Sequence, residues 1–286
     1  MSSTPSLPSA TDPGAILPRS ASLALWLWGT DPASAAVERA IRAVVHDDEP
    51  HGLSGDVPDD VAEPTLHALL SAWCGRVVAS AALFPEPGDA MGVPAEVSAP
   101  AIEAEECVLV SVSPSSGTKH QEHVESWALV PEVEAFGSVL EPGHLVHWTM
   151  TRVAPWTHRT LGTVGSLADA ERALQRSLRS TTEALASLDV SRWREDAGEA
   201  IAALRSTVDL RGHLPRDLDP RRTHVFQSAA RLRAIVDLAT VDDGGAVNLW
   251  QADQRSTALR EIDRVARRAM AAATFNAPVG AVPPAR

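Results

Sequence analysis

From residue 167 onward the apolar residues recur at helical spacing. Leu167, Leu174, Leu178, Thr181, Leu185 and Leu188 form one stripe, and Trp193, Ala197, Ile201, Leu204 and Val208 form a second. Val225, Ala229, Leu232, Val236 and Ala239 make a third; Trp250, Ala258, Ile262, Val265, Ala269 and Met270 make a fourth. Steps of three, four and seven place each set on one face of a 3.6-residue period. Gly244-Gly245 separates the last two stripes, and Gly212 with Pro215 and Pro220 separates the middle pair. Four amphipathic helices with short connections predict an all-α domain over 165–274, as an antiparallel bundle or as two helical hairpins. No fixed repeat length runs through it, which excludes a solenoid.

The first half is written differently. Leu23–Trp28, Arg76–Phe84 and Cys107–Val112 are short runs, apolar on both faces, and read as strands covered on both sides. Thr30-Asp31-Pro32 is a helix start, a capping side chain ahead of a first-turn proline, and Val37, Ile41, Val44 and Val45 carry that helix to about residue 46. Residues 47–63, acidic and rich in Gly and Pro, read as a surface loop; Pro64–Trp73 reads as a second short helix. Pro94–Glu106 has the length of a crossover helix. Ser126–Val130 and Leu145–Arg152 read as an antiparallel pair, the latter with Val146, Trp148 and Met150 on one face and His147, Thr149 and Thr151 on the other. These pieces predict an α/β N-terminal domain over 21–157, with a mixed sheet of about five strands, between tails at 1–20 and 275–286.

Charge divides at the same place. The chain has 37 acids, 25 bases and a net charge of −12. Residues 1–158 hold 21 acids against 6 bases, and residues 159–286 hold 16 against 19. The acidic half repels phosphate and the basic half has too small an excess to bind it, so nucleic acid is not expected as a partner. The division favours contact between the halves, or with the opposite half of a second copy. No apolar run approaches the roughly 18 residues of a membrane span, and no basic-then-apolar leader opens the chain. Two cysteines, Cys74 and Cys107, cannot make a disulfide framework. A cytoplasmic protein is expected.

If the sheet were parallel, three loops would meet beyond its strand ends: Gly29–Pro32, Pro85–Pro94 and Ser113–His120. They would gather Asp31, Glu86, Asp89, Ser115, the single lysine Lys119, and His120 into a small-molecule site. The loop at 115–119 is not a P-loop, because no glycine stands five positions before Gly117 and Thr118 separates it from Lys119. His144 and His147, three apart on a strand, point to opposite faces and cannot chelate one metal, so neither a metal site nor a cofactor is expected. No Gly-x-Ser-x-Gly elbow is present, and Cys107 behind Glu105 and Glu106 is placed to have a raised thiol pKa, the opposite of activation. Partner-type residues stand out more clearly. Trp193 lies between Arg192 and Arg194, and Arg260, Arg264 and Arg268 form a four-residue-step stripe on the last helix.

Leu83–Asp89, Asp189–Arg194 and Trp250–Arg255 resemble stretches of uncharacterised actinobacterial proteins of similar length, as does the bias of 24 arginines to one lysine. The resemblance implies an intracellular protein and supplies no reaction. The leading expectation is a non-catalytic interaction or regulatory protein that binds a protein partner or itself. The rival is a small-molecule-binding protein or enzyme at the strand ends. Whether the chain is an enzyme stays open from sequence.

Overall fold

The computed structural model describes residues 17–29, 34–114, 124–138, 141–187, 213–241 and 249–277. Helix α1 (Arg19–Gly29) is followed by α2 (Ser34–Val45), strand β1 (Gly52–Gly55), α3 (Leu66–Trp73) and β2 (Val77–Leu83). A single 3₁₀ turn then leads into α4 (Ser98–Ala104), β3 (Cys107–Val112), β4 (Glu125–Ser138) and β5 (Glu141–Arg152). The rest is helical: α5 (Thr157–Val164), α6 (Leu167–Ser187), α7 (Pro220–Val241) and α8 (Leu249–Thr274). The second apolar stripe, with Trp193, lies outside the described residues.

The five strands form one mixed sheet in the order β1-β5-β4-β3-β2. Only β1 and β5 run parallel; every other neighbour is antiparallel. The expected α/β character and mixed sheet are therefore present, with three corrections inside them. Leu23–Trp28 is not a strand but the body of α1. A short run apolar all round fits a buried helix as well as a buried strand, and Leu and Ala favour the helix. Residues 21–27 are buried on every side, and Ser80 on β2 donates its hydroxyl to the Ala24 carbonyl at 2.9 Å.

The fifth strand is instead β1, inside what reads as an acidic loop. It has four residues and borders the sheet, too short to carry a pattern of its own. Third, β2 and β3 are antiparallel although both are buried on both faces. Double-sided burial requires only that helices cover the sheet, and here α1 and α8 do so from the two ends of the chain.

Elsewhere the local signals hold. Thr65 caps α3 by accepting from the Ala68 amide at 3.2 Å. On β5, Val146, Trp148 and Met150 are buried while His147 and Thr149 are exposed. The outer edge of β2 is closed by chain from the end of α8. Ser80 and Asn276 exchange backbone hydrogen bonds at 2.9 and 2.8 Å, and Ala82 N–H donates to Thr274 Oγ1 at 3.0 Å. That contact protects an edge that would otherwise be free to pair with another chain. The C-terminal helices are thus part of the same packing unit as the sheet. One continuous apolar core holds Leu23, Leu109 and Trp148 together with Phe226, Ala269 and Met270.

The β4–β5 hairpin leaves this core. β3 pairs with β4 only as far as Leu129, and from Val130 to Ser138 β4 pairs with β5 alone. Glu132 through Ser138 are all exposed. The projecting part is a two-stranded arm, flanked as far as its middle by Glu49, whose amide donates to the carbonyl of His144, the partner of Ala135, at 3.0 Å.

Candidate functional site

Two of the residues expected at a strand-end site, Glu86 and Asp89, lie in the loop after β2. Pro87-Gly88 turns the chain there, with Gly88 at φ +91, and Glu86 and Asp89 exchange backbone hydrogen bonds at 3.1 and 2.9 Å. Proline followed by a positive-φ glycine is the type II pattern. The antiparallel order of β2 and β3 removes the premise of a common strand-end site: the Pro85–Pro94 loop leaves one end of the sheet, and Ser113 the other. Asp31, Ser115, Lys119 and His120 lie outside the described residues.

What Glu86 and Asp89 meet instead is α8. Arg267, 1% exposed, is bound on every side. Its Nε donates to Asp263 at 2.6 Å, Nη1 donates to the Phe84 carbonyl at 2.8 Å, and Nη2 donates to Glu86. Asp89 lies 3.7 Å from both Arg267 and Arg268, and Arg233 on α7 lies 3.7 Å from Asp263. Three arginines face three carboxylates, so the cluster is balanced and ties α7 and α8 to the end of β2. Burial raises the Glu86 pKa despite the Arg267 charge beside it.

A second polar cluster anchors the other side of the sheet. Arg19 on α1 makes a two-pronged pair with Asp48, Nε at 2.6 Å and Nη2 at 2.8 Å. Buried His51 has both ring nitrogens engaged: the Trp148 indole donates to Nδ1 at 3.1 Å, and Nε2 stands 3.2 Å from Asp48. An indole only donates, so Nδ1 is the acceptor of that bond and Nε2 faces the Asp48 carboxylate. His51 thus braces Asp48 against Trp148. Burial pushes Asp48 up, but hydrogen bonds from His51 and Arg19 and the Arg19 charge outweigh it and hold the carboxyl well below its usual range. His144 adds a 3.2 Å contact to Asp48, while His147 sits on the opposite face of β5. Among the described residues no group of three His, Cys, Asp or Glu could hold a metal ion. Burial and then the Glu106 charge push the Cys107 thiol far up, the direction expected from sequence.

The concave feature is a groove of about 720 Å³ between α6 and α8. Val164, Ala170, Ala173, Ile262 and Val265 form its apolar floor, and Arg176, Arg264 and Arg268 border it with Asp169 and Glu261. Two members of the expected arginine stripe thus flank one cleft. Arg264 forks onto Glu261 at 2.9 and 2.5 Å. Arg268 reaches from the groove toward Asp89, and its buried Nε has no hydrogen-bond acceptor. Arg260, the third member, is exposed on α8 and does not border the groove. Arg176 was missed by sequence reasoning because it belongs to another helix, and nothing in its local pattern marks it.

Two family models match in order along the chain. The N-terminal domain of the Rv1486c-like protein matches residues 20–161, and its C-terminal domain matches residues 168–271. The chain belongs to the Rv1486c-like family. The N-terminal Rv1486c-like match ends within α5 and the C-terminal one starts in the first turn of α6, so the first covers the sheet, the arm and Asp48 with His51, and the second covers the groove residues of α6 and α8. No curated protein and no solved structure matches the chain. Among the described residues no helix is long and apolar enough to cross a membrane.

Proposed function

We propose that this Rv1486c-like protein is a non-catalytic interaction protein whose α6–α8 groove receives an acidic, partly apolar segment of a protein partner. The observation that carries the reading is the groove itself: an apolar floor bordered by Arg176, Arg264 and Arg268. Apolar floors with arginine borders suit chains that bring both side-chain surface and carboxylates. The described titratable clusters support the same conclusion. Arg267, Asp48 and His51 are engaged in internal contacts, which gives them a role in the fold. In this reading the acidic half, 21–157, and the arginine-rich half, 165–274, present different surfaces, and the protein works in the cytoplasm.

Fluorescence anisotropy with a labelled peptide of alternating glutamate and leucine tests this. The full chain should bind it, and Arg176→Glu with Arg264→Glu should weaken binding about tenfold or more. Equal affinity for the wild type and the double variant would refute the groove as the partner surface. The rival small-molecule reading would be favoured by a metabolite that raises the melting temperature of the wild type but not of Asp89→Asn.

A further inference from the structure

The arm and the groove have complementary surfaces. Residues 132–138 of β4 are exposed, as are Leu145 and Glu141 opposite them on β5; Phe136 and Leu145, which share one face of the ribbon, are 44 and 38% exposed, unusual for large apolar side chains. Glu132, Glu134 and Glu141 stand among them, with no cation paired to any of the three among the described residues. The Phe136 ring lies over Gly143 across the hairpin, where a Cβ on Gly143 would stand 2.5 Å from the ring, so Phe136 is held flat on the arm. Acid around an apolar strip on the arm thus answers arginine around an apolar floor in the groove. The arm is long enough to span the groove: seven strand residues cover about 23 Å, and α8 borders the groove from Ala258 to Arg268, about 15 Å of helix.

Position adds a second argument. Leu129 pairs with Val108 at the start of β3, so the arm projects past the end of the sheet where β2 finishes. α8 passes that same end: Thr274 lies beside Ala82, Arg267 beside Phe84, and the groove residues precede Arg267 and lie farther out. Arm and groove therefore extend from one end of the molecule. Two copies that present this end to each other can exchange arms reciprocally, which closes the assembly instead of propagating it.

We propose that the occupant of the groove is the β4–β5 arm of a second copy of this chain, exchanged about a two-fold axis. This rests on the groove being the partner surface. Glu132 and Glu134 of each arm lie against Arg176 and Arg264 of the other copy, and Phe136 and Leu145, on the same face of the arm, cover the floor formed by Ile262 and Val265.

The experiment is sedimentation velocity on the full chain, up to about 100 µM, in low and in high salt. The wild type should sediment as a dimer that weakens as salt rises, because the rim contacts are screened. Glu132→Arg with Glu134→Arg, and separately Arg176→Glu with Arg264→Glu, should each be monomeric at concentrations where the wild type is dimeric. An equimolar mixture of the two variants should dimerise again, since each arm then meets a groove of opposite charge. Circular dichroism checks that both fold, and Glu132→Gln with Glu134→Gln, which should weaken association without reversing it, serves if the reversed arm does not. A monomeric wild type, or variants that dimerise unchanged and gain nothing on mixing, would overturn the proposal. If the chain is monomeric yet still binds the glutamate–leucine peptide in its groove, the self-association inference fails and the groove reading stands; if neither occurs, both fail.

Discussion

The two faces of α8 use the same residue type to opposite ends. On the inner face, Arg267 is sealed among Asp263, Glu86 and the Phe84 carbonyl, and its charge holds three parts of the chain together. On the outer face, Arg264, three residues earlier, has an exposed fork onto Glu261, and Arg268, one residue later, lines a groove with its Nε lacking an acceptor. The difference lies in position around the helix axis. One residue step rotates a side chain by about 100°, which is enough to carry a guanidinium from a sealed contact to an open cleft. A buried, fully bonded arginine contributes to the fold, whereas a half-exposed one at the border of a cleft is available to a ligand.

Breaking the inner face should have the largest effect. Arg267→Met leaves the half-buried Glu86 and Asp263 without their main cation and removes the hydrogen bond to the Phe84 carbonyl, so a loss of about 3 kcal/mol is expected, with a melting temperature lower by roughly 10 °C. Differential scanning calorimetry checks it; a fall under a degree would mean that the cluster is dispensable.

The Asp48 cluster offers a comparison inside the sheet. Its pKa in the fold lies below the unfolded value, so its contribution is present above the ordinary carboxylate range and drains away as pH falls below about 4. Asp48→Asn should cost about 2 kcal/mol at neutral pH, and the gap from wild type should narrow as pH falls. Urea titrations at pH 7 and pH 3 measure the gap; one that widened toward acid would contradict the assigned network.

The outer face should respond least in stability. Arg264→Ala removes an exposed pair and should change unfolding free energy by under about 0.5 kcal/mol. The same variant should weaken peptide binding, so stability and affinity separate on one helix. If Arg264→Ala lost as much stability as Arg267→Met, the contrast between the two faces would collapse.

Much of the local structure could be read before any contact was known. Helices α2, α3, α6, α7 and α8 follow from the spacing and length of their apolar runs, and the alternation in β5 told which of its faces is buried. α1 escaped this reading because Leu23–Trp28 is apolar on every side and so has no period to detect. β1 escaped because four residues are too few to show a period, and its place is set by pairing with His147–Met150 nearly a hundred residues on. The candidate site was half legible. The Arg260, Arg264 and Arg268 stripe pointed to the correct helix, but Arg176 could join it only through the packing of α6 on α8.

The charge division follows the same line. Composition and order along the chain fix an acidic first half, an arginine-rich second half, helical stripes in the second and an α/β pattern in the first, because these depend on neighbours a few residues apart. Strand direction, the helical state of Leu23–Trp28, and the partners of Glu86 and Asp89 depend on contacts between distant segments, which no local period encodes. Packing placed Arg267 inside and left Arg264 at the groove, since burial is decided by what the rest of the chain lays against a helix, not by the helix alone.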